Sequence, residues 1–357
     1  MPSELTAARD LANKVRFCDD RLGSAAADGS RHSISIKNSF YCNELAISEK
    51  VTPALERSLC SALHNLHIAR SVVEAFVYPS SEINAQCFSG ADSECVIRLS
   101  SALIEILTTE EVGFVVGHEM GHFLLSHQGQ GDMNSEGNVE DYIRYRAQEI
   151  SADRIGVIAS GSLETALRAM LKTISGLSSK HLRFDMSKFI SQIRSTSGVV
   201  NQHEQSTHPS VLVRSRALLW FSISGFDVFD GLQNTQGVST ADVDRRVRVD
   251  MDRYVDGEAK DRLKDARAEL AMWVCARNIV ESGSFSKQAQ DRFRADFDEN
   301  TLTRLAAFLQ GQSAEENEGA VEAKLRLAQS KLEALMPTSY SGEYSRLVEK
   351  YGSFASL

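Results

Sequence analysis

Apolar residues recur at helical spacing along most of this chain and at strand spacing in only a few short runs. Leu55, Leu59, Leu63 and Leu66 fall three or four apart and predict an amphipathic helix over 51–69. Residues 71–78 (SVVEAFVY) are β-rich and stop at Pro79, and 95–99 (CVIRL) form a second such run, so each predicts a strand. The alternating run 33–36 is a further strand candidate. A helix is expected over 101–107 and another over 113–127, where Val112, Val115, Val116, Phe123 and Leu124 supply the apolar residues. Thr108 followed three positions later by Glu111 is a capping-box signature at its start. Tyr142, Ile143, Ile150, Ile155 and Val157 give helical spacing to 140–159. Helices over 163–177 and 184–194 follow, the second with Phe189 and Ile190 facing inward, and Pro209 is suited to open another.

The stretch 231–240 turns to Gln, Gly, Ser and Thr and is a linker candidate. Beyond it the pattern is charged and helical over 243–255, 260–279, 286–310 and 322–335, with 311–319 separating the last two and Pro337 ending the series. Asp250, Asp252 and Asp256-Gly257 suggest a calcium loop, but the glycine is out of register for one. The expected organisation is an N-terminal region 1–50, a domain 51–230 and a C-terminal all-helical region 240–357.

A net charge of −9 argues against non-specific nucleic-acid binding, which needs basic patches. No stretch approaches the roughly 20 apolar residues that a membrane helix requires, and the polar first residues lack an apolar signal core, so a cytoplasmic location is expected. The six cysteines form no C-x-x-C pair and read as reduced thiols.

The chemistry concentrates in 113–127. His118 and His122 lie four apart on one helix and share a face, so both imidazoles can aim at one metal ion. Glu119, one step round the helix, can reach a water at the same ion. This H-E-x-x-H spacing is that of a zinc hydrolase, and a catalytic zinc takes three protein ligands. Glu149 can be the third, and Asp153, four residues on and on the same face, can accept the free ring N–H of a liganding histidine, His118 first. Cys87 or Cys95 is the alternative third ligand. His64 and His67 on the helix 51–69, and His32, His181 and His203 elsewhere, read as polar-surface residues.

The chain resembles the gluzincin zinc peptidases, and within them the family of CAAX prenyl proteases, HtpX-like membrane proteases and their soluble bacterial relatives. The resemblance is carried by His118-Glu119-Met120-Gly121-His122 with His127 five further on, and by Glu149-Ile150-Ser151-Ala152-Asp153-Arg154. Thr207-His208-Pro209-Ser210 with Arg214, and Asn84-Ala85 before an edge strand, complete it over about residues 50–220. Gln86 stands where the family has an aromatic, and Ser101 where it tends to have glycine. The resemblance implies an α+β, mostly helical fold: a zincin-type metallopeptidase domain with a small sheet and two metal-site helices, plus the helical C-terminal region.

It further implies one Zn2+ held by His118, His122 and Glu149, Glu119 as the base, and peptide-bond hydrolysis in a protein or peptide substrate. His208, held before Pro209, would stabilise the oxyanion or occupy the open zinc position. Arg214 would anchor that turn through a carboxylate, and Asn84 would hold substrate backbone beside an edge strand, here expected to be 95–99. Residues 128–139, rich in Gly, Asn and Gln, are expected to be a flexible loop over the cleft. The alternative is a catalytically silent or regulated metalloprotein whose C-terminal helices bind a protein partner.

Overall fold

The structure, a computed structural model, describes residues 5–18, 37–89, 95–127, 138–192, 209–224, 237–282, 299–310 and 314–351. The strand candidate 33–36, His32, His203 and most of the loop 128–139 lie outside them. The chain divides into two compact units. Unit 1 takes in Met1–Asp19, Ala26–Ser135 and Arg144–Val255; unit 2 takes in Asp20–Ala25, Glu136–Ile143 and Asp256–Leu357.

Unit 1 runs from α1 (Thr6–Val15) and α2 (Lys37–Asn43) through β1 (Leu45–Ala46), α3 (Pro53–Asn65), β2 (Val73–Tyr78), β3 (Ala85–Ser89) and β4 (Cys95–Ser100). Helices α4 (Ser101–Ile106), α5 (Thr109–Leu124), α6 (Val139–Ser160), α7 (Leu163–Ser175), α8 (Met186–Ser191), α9 (Val211–Ser222) and α10 (Thr240–Tyr254) follow. The fold is α+β and mostly helical. Its one sheet among the described residues has the order β1-β2-β4-β3, with β2 and β4 parallel and the other pairs antiparallel.

This order corrects one expectation. The run CVIRL is β4 and lies inside the sheet, and the edge strand on its side is β3, paired from Ala85 opposite Leu99 to Ser89 opposite Cys95. Strand alternation sends Cys95, Ile97 and Leu99 into the main core with Val73 and Ala75. Phe76 and Val96 point to the opposite face, where Phe40 of α2 covers them.

Helix α5 is the central element. Its capping box forms as the spacing predicts: Thr108 Oγ1 accepts the Glu111 N–H, and the Glu111 carboxylate accepts the Thr108 N–H at 2.8 Å. The same buried carboxylate pairs with Lys172 of α7, which satisfies a charge that burial would otherwise make costly. Helices α5 and α6 meet backbone to backbone. A β-carbon at Gly117 would lie 2.2 Å from Cβ of Ala159, and one at Gly121 would lie 2.8 Å from Cα of Ala152.

Helix α6 is tied down by polar contacts of its own. Arg154, fully buried, donates to the Val15 carbonyl at 3.1 Å and to Asp244 of α10 at 2.7 Å. Ser151 Oγ accepts the Phe17 N–H at 3.0 Å. Helix α10, assigned above to the C-terminal region, instead belongs to unit 1. It buries Val243, Val247 and Met251 against Ile150, Val213 and Ala217, and its Asp250 accepts from Arg216 and from Trp220 Nε1, each at 2.9 Å.

The described helices of unit 2 are α11 (Gly257–Ser282), α12 (Glu299–Gln310), α13 (Ala314–Leu335) and α14 (Tyr340–Tyr351), with the start of α6. Leu263, Leu270 and Val274 pack with Leu325, Ala328, Leu332 and Leu347. Two expectations are corrected here. Helix α13 begins at Ala314, inside the stretch read as a separator, and a further helix, α14, follows Pro337. The buried Glu140 carboxylate fixes the turn that leads into α14 by accepting the N–H groups of Thr338 and Ser339, at 2.9 and 3.3 Å. Among the described residues, no helix is long and apolar enough to cross a membrane.

Candidate metal centre

His118 and His122 sit one turn apart near the end of α5, and Glu149 comes from α6, which the glycine contact draws against the same face. The two Nε2 atoms are 3.1 Å apart. The Glu149 carboxylate reaches both, Oε2 at 3.6 Å from His118 Nε2 and Oε1 at 3.4 Å from His122 Nε2. Ligands at about 2.1 Å from a tetrahedral ion lie about 3.4 Å from one another. The three donors therefore have the chemistry and the spacing that zinc takes, and they form a metal-competent group among the described residues.

The Nδ1 atoms point the other way and are occupied. His118 Nδ1 is 3.0 Å from Asp153 Oδ1. Arg214 of α9 grips Asp153 with Nε and Nη2, at 2.7 and 2.6 Å, and places Nη1 3.2 Å from Glu149. His122 Nδ1 is 2.9 Å from Nδ1 of His127, three residues past the helix.

The electrostatics follow from this packing. Burial works against the charged form of Glu149, but the Arg214 cation and the two histidines overcome it and hold the carboxyl well below its ordinary range. Burial likewise opposes ionisation of Asp153, and again Arg214 and His118 win, lowering it. Burial would lower the His118 imidazole, yet the Asp153 hydrogen bond and the Glu149 charge reverse the sign and raise it. Glu119 is raised, by burial first, against the pull of His118 and His122. Burial and the neighbouring His122 hold the His127 imidazole well below its usual value.

The remaining expected residues are distributed unevenly. Cys87 and Cys95 turn to each other, Sγ to Sγ 3.3 Å, and Cys95 to Met120 Sδ at 3.6 Å, so neither joins the donor group. Asn84 precedes the edge strand, but its main chain is bonded to Ser100 at 3.0 and 3.1 Å and its side chain meets Tyr78. His208 lies outside the described residues. His127, five residues past His122 in the motif, was expected as the last residue of the helix 113–127; the structure ends α5 at Leu124 and sets His127 on the turn beyond it.

Residues 49–138 match peptidase family M48. Over 96 residues the chain is 33% identical to Metalloprotease LoiP of Escherichia coli (strain K12), a match covering 25% of this chain and 36% of that protein. The chain thus aligns with about a third of that relative's length. No solved structure matches. The family match takes in α3 to α5, with His118, Glu119 and His122; Glu149, Asp153 and Arg214 lie beyond the matched residues.

Proposed function

We propose that this chain is a zinc-dependent endopeptidase in which His118, His122 and Glu149 hold the ion and Glu119 is the catalytic base. The observation that carries the reading is the convergence of two Nε2 atoms and one carboxylate, from helices separated in sequence, at mutual distances of 3.1 to 3.6 Å. Zinc bound there supplies Lewis acidity toward a carbonyl oxygen and acidifies water.

The protein's own groups do the rest. Asp153, fixed by Arg214, accepts the Nδ1–H of His118 and leaves Nε2 as the donor atom. Glu119, raised by its buried setting, takes a proton from the attacking water on its carboxylate and delivers it to the leaving amide nitrogen. The edge strand β3 lies against α5 and, among the described residues, pairs on one side only, with β4. Its other edge suits an extended peptide that adds as a further strand. His208, immediately before Pro209, is assigned the stabilisation of the oxyanion, and Asn84 the support of substrate backbone at the start of β3.

The test is Glu119→Gln, which removes the base and leaves the three ligands intact. The variant is expected to keep its metal and to lose peptide hydrolysis by a factor of at least about 100. Fragment N-termini mapped in cells carrying wild type or variant supply the substrate without presupposing it. Undiminished cleavage by the variant would remove Glu119 from the mechanism.

A further inference from the structure

The end of α5 does more than stop a helix. Leu125 closes the last turn, and Ser126 adopts the left-handed conformation, φ 53°. The His127 N–H then returns to the His122 carbonyl at 2.9 Å, and the Ser126 N–H to the Phe123 carbonyl at 3.2 Å. This pair of bonds is a Schellman turn, in which glycine is the usual left-handed residue because a side chain is strained there. Serine holds that position here, and the turn sets His127 against His122 twice, main chain to main chain and ring to ring.

We infer that His127 is a positioning residue for the metal centre, holding His122 in the tautomer that carries its proton on Nδ1 and offers Nε2 to zinc. The two Nδ1 atoms are 2.9 Å apart, so one is protonated and the other accepts. With His122 Nε2 facing His118 Nε2 and the Glu149 carboxylate, the proton of His122 belongs on Nδ1, and His127 must be the acceptor with its own proton on Nε2. The two liganding histidines are therefore oriented by different means. His118 leans on a carboxylate that Arg214 clamps, and His122 on a neutral imidazole delivered by the helix-terminating turn.

The inference rests on the zinc reading proposed above, and its test separates the two. Zinc affinity is measured by competition with a chromogenic chelator for the full chain and for His127→Phe, His127→Asn and Ser126→Gly. His127→Phe keeps the ring volume but offers no acceptor, and is expected to weaken zinc binding about 10- to 100-fold. His127→Asn, whose Oδ1 can accept in place of Nδ1, stays close to wild type, and so does Ser126→Gly, which preserves the turn. In 15N-histidine-labelled wild type, NMR is expected to show a protonated Nδ1 on His122 and a bare Nδ1 on His127.

Equal affinity of His127→Phe and wild type, or the shared proton assigned to His127 Nδ1, overturns the inference. Should His127→Phe fail to fold, the NMR assignment decides, since it needs no substitution. Wild type that takes up no zinc contradicts the zinc reading instead, and the tautomer is then read in the metal-free protein.

Discussion

Arg214 closes two parallel bonds onto Asp153, Nε to Oδ2 at 2.7 Å and Nη2 to Oδ1 at 2.6 Å, from a helix 61 residues further along the chain. Its third nitrogen faces Glu149 at 3.2 Å. One planar cation thus fixes both the carboxylate that would ligate the metal and the one that orients His118. A lysine carries the charge but not the fork. Arg214→Lys is expected to fold and to bind zinc about 10- to 100-fold more weakly, measured by chelator competition. Unchanged affinity would show that charge alone suffices.

The two site helices touch through Gly121 and Ala152 with no room for a β-carbon. Gly121→Ala should gain roughly 1 kcal/mol of helix propensity and lose more by forcing α5 and α6 apart, for a net destabilisation of about 1–3 kcal/mol. Thermal unfolding reads the stability. Because the separation also moves Glu149 away from the histidines, metal affinity should fall in the same variant.

Glu56 and Arg70 form a two-bond ion pair, Nε to Oε1 at 2.8 Å and Nη2 to Oε2 at 2.9 Å, that joins α3 to the start of β2. The Arg70 hydrogen bonds lower the Glu56 carboxyl below its ordinary value, against a smaller effect of burial. A depressed carboxyl stabilises the fold above its unfolded value of about 4.3 and ceases to do so as pH falls through the folded value. Glu56→Gln is therefore expected to cost about 0.5–1 kcal/mol at pH 7, with the difference from wild type vanishing in denaturant melts run under increasingly acid conditions. A difference that persists in acid would assign the loss to packing.

What could be read from the chain follows from how local each feature is. The α5 helix was legible because its cap, apolar density and motif lie in consecutive residues. Strand β3 was not: Ala85-Gln86-Cys87-Phe88-Ser89 contains no β-branched residue, and its extended state comes from pairing with β4. Helix-face spacing suggested that Glu149 and Asp153 act together, but not that one arginine holds both. Helix α10 shows a clear buried stripe in Val243, Val247 and Met251, while its neighbour depends on tertiary packing with α9 and α6. Helix α14 has apolar spacing in Tyr340, Tyr344, Leu347 and Tyr351, masked by Pro337 just before it. The role of His127 hung on a left-handed serine, at a position that sequence reading marks by glycine.

The most direct test is bound metal measured by elemental analysis, after incubation with zinc and removal of the excess, in wild type and in Glu149→Ala. Wild type should retain one zinc per chain, and the variant, with two imidazoles left and no carboxylate, should lose it during the removal step. Stoichiometric zinc in Glu149→Ala, or none in wild type, would contradict the metal centre described here.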